Sequence, residues 1–138
     1  MQIKHRFHSI LGVKNMENTL LRSRINSIKY TLEHRKAFLK VEKSLIGKNT
    51  LRGYIHDLDK VFLKMLFDKK TVQKIHRNYS RHHNKKARTK SDYIQMVIDW
   101  ECARYTKPDK PLNARETLYK FYPELESMVL PIIEELGL

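Results

Sequence analysis

The segment YIHDLDKVFLKML, residues 54–66, combines a helical apolar pattern with polar groups that suit a metal site. Its apolar residues recur every three or four positions, which is the spacing of one helix face. They are Tyr54, Ile55, Leu58, Val61, Phe62, Met65 and Leu66. His56 and Asp57 fall near the start of this pattern, and Lys60 follows one turn after His56. The segment therefore predicts a helix that carries a His-Asp pair close to its N-terminus.

The sequence on either side of this segment predicts more helices and no convincing strand. Residues 17–46 have helical apolar spacing and predict one long helix or two joined helices, with Gly47 as the stop. A third helix is expected to begin at Asp68 or Thr71 and to end near Asn84. Glycine and proline number only four each, which disfavours a turn-rich β architecture.

Three further helices are predicted in the last third of the chain. Ser91 is a suitable cap for a fourth helix, which should stop before Pro108. Asn113 and Glu116 have the spacing of a capping box at the start of a fifth helix, and residues 122–136 predict a sixth. A length of 138 residues fits one core. We therefore expect an all-α, single compact domain of about five to six helices.

The net charge of +13 is concentrated in one part of the chain. Residues 64–90 contain ten lysines and arginines against a single acid, whereas residues 91–138 contain five against nine acids. Such a basic segment attracts phosphate-bearing ligands, including nucleic acid. The alternative is a solvated basic surface without a specific partner, which is the commoner outcome for a run of like charges.

The N-terminal residues, the lengths of the apolar runs and the single cysteine predict how the domain is organised and where the protein is located. Residues 1–15 predict a basic N-terminal arm in front of a helical domain that spans residues 16–138. No apolar run approaches the ~18 residues of a membrane span, so no membrane partner is expected. Cys102 is the single cysteine and cannot form an internal disulfide, which fits a reducing, cytoplasmic location. The oligomeric state stays open.

Side chains of metal-binding type recur in an order that no simple repeat would generate. They are His34, His56, Asp57, His76, His82, His83 and Asp99. His56 and Asp57 would diverge by ~100° within a helix, yet at a helix end both can reach one ion. His76 and His83 are ~10.5 Å apart along a helix axis, so one must lie beyond the end of the third helix. Lys60 would repel a bare cation, and its position makes sense if the site also holds an anion such as phosphate.

The order His34, His56-Asp57, Asp99 resembles the signature of the HD-domain superfamily of metal-dependent phosphohydrolases. Proteins of that superfamily are all-helical, and these four side chains bind a divalent metal in them. The resemblance therefore implies a minimal HD-like helical domain over residues 16–138.

A second part of the resemblance concerns the remaining histidines. His76 and the doublet at residues 82–83 are similar to the ligands that phosphodiesterase branches of the superfamily use for a second metal. Residues 56–60 resemble the His-Asp-x-x-Lys segment of those branches. The chain is also similar to a small HD-like family of phage and bacterial genomes, which has the histidine doublet and an Asp-Trp pair, here at residues 99–100. Asn84 stands where the cyclic-dinucleotide phosphodiesterases have a glutamate, and their Gly-Tyr-Pro element is absent.

The resemblance implies a phosphohydrolase or phosphodiesterase that uses metal-activated water against a nucleotide or cyclic nucleotide. One or two divalent ions would be its cofactor, drawn from Mn, Fe, Co, Zn, Ni or Mg. Asp57 and Lys60 would be the catalytic residues, and Lys60, Arg77 and Arg81 would bind the substrate phosphate.

A function of a different class also fits the residues. The chain would then be a basic helical module that binds nucleic acid, with a structural or vestigial metal site. Tyr79 lies within the basic segment and has an aromatic ring that suits stacking on a base. Metal content measured together with phosphoester hydrolysis separates the two hypotheses.

Overall fold

The computed structural model describes the backbone of residues 2–138 and the side chains from Gly12 onward. These residues form an all-α fold, which confirms the predicted fold class. The helices are α1 (Gln2–Ile46), α2 (Leu51–Ile55), α3 (Leu58–Leu66), α4 (Lys69–Tyr79), α5 (Lys90–Thr106), α6 (Ala114–Phe121) and α7 (Glu126–Glu135), with a 3-10 turn at Pro123–Leu125. Among residues 2–138, no helix has both the length and the apolar character that crossing a membrane requires.

Helix α1 is one continuous helix of 45 residues rather than two joined ones. Gly47 follows it with a φ of 78°, a left-handed conformation that glycine adopts without steric cost. Most of the predicted arm, residues 1–15, lies outside the residues whose side chains are described, and so do His5 and His8.

Helix α5 is the central element of the domain. It packs against α1 on one side and against α6 and α7 on the other, which explains why eight of its side chains are buried. Phe38 of α1 meets Ile98 and Cys102 of α5 in one core cluster. The larger cluster lies between α5, α6 and α7, and its members are Ala87, Met96, Val97, Trp100, Ala114, Leu118, Val129, Ile132 and Ile133.

The predicted single helix over residues 54–66 is wrong, because the chain breaks between α2 and α3 at the His-Asp pair. Asp57 has a φ of 54°, the left-handed region that aspartate tolerates better than most residues. Thr50 caps α2, its hydroxyl accepting a hydrogen bond from the backbone N–H of Gly53. The break leaves His56 and Asp57 on an irregular backbone, where adjacent side chains can face the same space.

Two other predicted helix boundaries also move. The third predicted helix corresponds to α4, which begins after Asp68 as expected but ends at Tyr79 and not near Asn84. Both histidines of the doublet therefore lie in the loop after α4. This meets the expectation that His83 lies beyond the helix that carries His76. The cap of α5 is Thr89 in place of Ser91, because Thr89 forms a reciprocal capping box with Asp92.

Candidate metal centre

His34 on α1, His56 between α2 and α3, and Asp99 on α5 meet where these elements pack together. The Nε2 atom of His34 lies 2.8 Å from Oδ1 of Asp99, and Nε2 of His56 lies 3.2 Å from the same oxygen. Both histidines are more than nine-tenths buried. Three elements distant in sequence thus direct nitrogen and oxygen donors at one point.

Asp57 faces two groups of histidines through its two oxygens. Its Oδ2 lies 3.6 Å from Nε2 of His56 and 3.9 Å from Nε2 of His34. Its Oδ1 lies 3.0 Å from Nε2 of His76 and 3.3 Å from Nε2 of His82. A carboxylate in this position can serve two neighbouring cation sites at once.

His76, His82 and His83 form the second group. The Nε2 atoms of His76 and His82 are 3.2 Å apart, and the ring of His83 lies 4.4 Å from that of His82 between centroids. Each of the three offers a nitrogen within 4.8 Å of the other two. The same criterion groups His34 and His56 with Asp57 and Asp99. Every metal ligand predicted from the sequence therefore belongs to one of two adjoining donor groups.

Three of these histidines have their outer ring nitrogen against a polar side chain. The pairs are His34 Nδ1 with Thr106 Oγ1 at 3.2 Å, His76 Nδ1 with Asp59 Oδ2 at 2.6 Å, and His82 Nδ1 with Ser80 Oγ at 2.8 Å. In a neutral imidazole, an acceptor on Nδ1 holds the proton there and leaves the lone pair on Nε2 available to a cation. Metal-binding histidines are commonly oriented in this way.

The acidic members of the site are ionised. Burial opposes the charge on Asp57, but His56, His76 and His82 face its oxygens and keep its carboxyl pKa well below the usual range. Burial also opposes the charge on Asp99, and contacts with His34 and His56 likewise lower its pKa. One buried and one partly buried carboxylate so close together favour a cationic neighbour.

His83 is in the form that binds metal. Burial, reinforced by the neighbouring His82, lowers the pKa of His83 to about 3, so its imidazole is neutral at physiological pH. Its Nε2 is buried without a hydrogen-bond partner among the described residues. Buried polar atoms without partners are uncommon, and a bound ion would satisfy them. The donor chemistry therefore fits a divalent cation.

The predicted catalytic and phosphate-binding cations have different positions. Lys60 is partly exposed, and its Nζ lies 2.7 Å from Oδ2 of Asp57. Arg81 lines a cavity of about 150 Å³ together with His56, Asp57 and His82. Its guanidinium also pairs with Asp92 at 3.1 Å.

Arg77 lies away from this group of cations. It is exposed on α4 and is not among the residues that line the cavity. Its neighbour His76 faces inward, and successive helical residues are separated by ~100° around the axis, so Arg77 points to another side. The structure does not bring Arg77 to the donor groups.

Asp59, Ser80 and Thr106 are residues of the site that sequence reasoning missed. Thr106 is seven residues after Asp99, a spacing that places both on one face of α5, so helical periodicity could have found it. Asp59 lies inside the His-Asp-x-x-Lys segment, but its contact with His76 depends on how α3 packs against α4. No local signal identifies Ser80.

Asp92 ties together the two irregular segments that carry site residues. Its buried carboxylate lies 2.9 Å from a guanidinium nitrogen of Arg52 on α2 and 3.1 Å from Arg81, just before His82. It also accepts hydrogen bonds from the backbone N–H groups of Arg88 and Thr89. These partners hold the loop after α4 against α2 and α5.

Comparisons with protein-family models, curated proteins and solved structures find no match to this chain.

Proposed function

We propose that this protein is a metal-dependent phosphohydrolase or phosphodiesterase that acts on a nucleotide or cyclic nucleotide. The observation that carries the proposal is the position of Asp57, whose two carboxylate oxygens face separate histidine groups. A carboxylate shared between two cation sites is a common arrangement in enzymes that cleave phosphate esters. The order of the donors also supports membership of the HD-domain superfamily, which we propose on the same basis.

The residues that would hold metal form two sets. His34, His56, Asp57 and Asp99 make the first, and His76, His82 and His83 make the second. Asp57 also serves the second set, because its Oδ1 faces His76 and His82. Mixed nitrogen and carboxylate donors suit Mn, Fe and Co, with Zn, Ni and Mg as further candidates, and one or two ions would be bound. When bound, such a cation supplies Lewis acidity and lowers the pKa of water toward ~7.

The side chains around the donors would position and stabilise the substrate. Lys60 has its ammonium 2.7 Å from Asp57, close enough to the donors to neutralise charge that develops on phosphoryl oxygens. Arg81 lines the cavity and is half exposed, so its guanidinium can bind an entering phosphate. Asp59 and Thr106 would fix the orientation of the histidines they contact.

The test combines metal content with hydrolysis. Native protein should carry or take up divalent metal, measured by mass spectrometry, and should cleave bis(4-nitrophenyl) phosphate or a nucleotide ester. Asp57→Asn should lower the rate of hydrolysis about a hundredfold or more, which is the size of loss seen when groups of a metal site are replaced. Asp109→Asn is the matched control, because Asp109 is exposed and belongs to neither donor group. A native protein that binds no metal and cleaves no phosphoester would refute the proposal.

The second candidate is a nucleic-acid-binding module with a structural or vestigial metal site. The basic segment of residues 64–90 favours it. It predicts binding to nucleic acid that weakens with salt, and no release of product in the presence of any of the metals.

A further inference from the structure

Arg52 of α2 and Arg81 of the loop after α4 form an arginine pair that one buried acid, Asp92, holds together. Nη2 of Arg52 lies 2.9 Å from Oδ1 of Asp92, and Nη2 of Arg81 lies 3.1 Å from Oδ2. The Asp92 side chain is fully buried, so it is a rigid anchor for both contacts. The two guanidinium groups therefore meet at one place, although they belong to distant segments of the chain.

The arginine pair carries more positive charge than its partners neutralise. Among the side chains of residues 12–138, Asp92 is the only acid that forms an ion pair with either arginine. Arg52 donates one further hydrogen bond, to Oγ of Ser91 at 2.9 Å. Because each guanidinium has five N–H donors, several of them stay available to an external anion.

Both arginines line the cavity beside the metal centre. His56, Asp57 and His82 line the same cavity, so the arginine pair and both donor groups face one shared space. Its volume of about 150 Å³ corresponds to about five water molecules. Sites that enclose a whole small molecule are larger, about 300–1,000 Å³. The cavity therefore suits phosphate groups and is too small to enclose a nucleoside as well.

Helix α5 sets the distance between the arginine pair and the first donor group. Asp92, Gln95 and Asp99 are spaced three and four residues apart, so they share one face of α5, and Gln95 lines the cavity between them. Asp92 and Asp99 are ~10.5 Å apart along the helix axis. Contacts of about 3 Å at the arginines and about 2 Å at a metal leave roughly half of that distance for a ligand. That space fits two linked phosphate groups better than one.

Two acids also line the cavity, and each faces a cationic or metal-binding side chain. Oδ2 of Asp57 lies 2.7 Å from Nζ of Lys60, and Oδ2 of Asp59 lies 2.6 Å from Nδ1 of His76. The arginine pair is thus the part of the wall that keeps surplus positive charge. An anionic group that enters the cavity beyond the donors is attracted to it.

We propose that Arg52 and Arg81 bind a second phosphate group of the substrate, while the reacting phosphate lies at the donor groups. The ligand class is an organic diphosphate, such as a nucleoside diphosphate, whose organic part extends out of the cavity. This inference rests on the proposed function and narrows its substrate class from nucleotides in general to those with adjacent phosphates. It also gives a role to Arg52, which the sequence did not single out.

The test compares two probes that cannot be hydrolysed, methylphosphonate and methylenediphosphonate, in isothermal titration calorimetry with the full chain. The protein is loaded with Mn²⁺ and freed of excess metal, because a diphosphonate also chelates metal in solution. Native protein should bind methylenediphosphonate about tenfold or more tightly, since the second phosphonate gains charged hydrogen bonds. Arg52→Gln/Arg81→Gln should lose this preference and bind the two probes within about threefold of each other.

Arg77→Gln is the matched control, because Arg77 is an exposed arginine of α4 that does not line the cavity. Its charge is screened from the cavity, so the variant should keep the preference within about twofold of the native value. The charge-preserving variant Arg52→Lys/Arg81→Lys controls for the ion pairs with Asp92. It should keep a preference of about threefold or more, because lysine retains the charge but not the planar fork.

Two results would overturn the inference. One is a native protein that binds the two probes equally. The other is an equal loss of affinity for both probes in Arg52→Gln/Arg81→Gln, which would mean that the arginines serve the fold alone. Hydrolysis of bis(4-nitrophenyl) phosphate by native protein tests the proposed function separately, because this diester has one phosphate. Its cleavage without a preference for the diphosphonate removes this inference alone, whereas a chain that takes up no Mn²⁺ removes both.

Discussion

His34 and Asp99 lie 65 residues apart in sequence, yet Nε2 of the histidine is 2.8 Å from Oδ1 of the aspartate. They face each other across the interface of α1 with α5, where Phe38 packs against Ile98 and Cys102. The sulfur of Cys102 also lies 3.5 Å from Nδ1 of His34. The packing that stabilises this helix pair therefore also sets the distance between two candidate ligands.

Divalent metal should raise the melting temperature of the native chain. A ligand that binds only the folded state adds about 2.7 kcal/mol at a hundredfold excess over its Kd. In a domain of this size, that corresponds to a rise of roughly 10 °C. Calorimetry with and without MnCl₂ measures it. Asp57→Asn should lose most of the shift because both donor groups use this carboxylate, and Asp109→Asn should keep it. Equal shifts in the two variants would contradict the shared role of Asp57.

Substitution of Gly53 by alanine should destabilise the protein by about 2 kcal/mol through overpacking. A Cβ atom on Gly53 would fall 2.0 Å from Oε2 of Glu42. Glu42 is fully buried and accepts hydrogen bonds from Thr50 and Gln95, so its carboxylate cannot move aside without breaking them. Urea unfolding measures the change.

Gly12→Ala is the control for that experiment. Gly12 lies in α1, and a Cβ atom added to it would meet no atom of a neighbouring residue within 4 Å. Alanine there should therefore leave the free energy of unfolding unchanged or raise it by about 0.5–1 kcal/mol. A loss of similar size in both variants would show that backbone effects, and not the contact with Glu42, are responsible.

Features of the fold that depend on neighbouring residues were predictable from the sequence. The capping box of Asn113 and Glu116 at the start of α6 was predicted and is confirmed. The ligand types were also identifiable, because histidine and aspartate carry their chemistry wherever they lie. The rise of a helix over seven residues predicted that His76 and His83 could not both lie in one helix and bind one ion, and His83 does lie beyond the end of α4.

Features that depend on contacts between distant segments were not predictable. The break at His56 and Asp57 is held by Arg35 of α1, whose guanidinium donates hydrogen bonds to the backbone carbonyls of Tyr54 and His56. The apolar pattern of residues 54–66 continues through this break, so periodicity alone favours an unbroken helix. Arg81 illustrates the same limit, since its partner Asp92 comes from the start of α5.

Asp92 should make stability depend on acid pH. Burial opposes its charge, but backbone donors at Arg88 and Thr89 and the guanidinium of Arg52 lower the pKa of this carboxyl below its usual range. A carboxyl with a depressed folded pKa stabilises the fold above the unfolded pKa of about 3.9, and this contribution is lost as pH falls through the folded value. Asp92→Asn should therefore cost about 2–3 kcal/mol at pH 7, a loss of charged hydrogen bonds.

The difference between native protein and Asp92→Asn should shrink steadily below about pH 4, where the Asp92 carboxyl of the unfolded chain begins to take up protons while that of the folded protein stays ionised. Urea unfolding at pH 7, 4 and 2.5 follows it. Arg81→Ala removes one exposed partner of Asp92 and should cost less than about 1 kcal/mol, as is usual for exposed ion pairs. A difference that stays constant between pH 7 and 2.5 would rule out this role for Asp92.

Asp59 should raise the metal affinity by orienting His76, and His76 supplies the donor nitrogen. Its Oδ2 lies 2.6 Å from Nδ1 of His76, which fixes the proton on that nitrogen and leaves Nε2 free toward Asp57. Loss of such an orienting partner typically weakens metal binding 10–100-fold. Asp59→Asn should therefore raise the Kd for Mn²⁺ or Zn²⁺ by about that factor in isothermal titration calorimetry. Tyr79→Phe removes the other hydrogen bond to Asp59 and should change the Kd by about threefold or less. An unchanged Kd in Asp59→Asn would mean that the contact with His76 serves the fold alone.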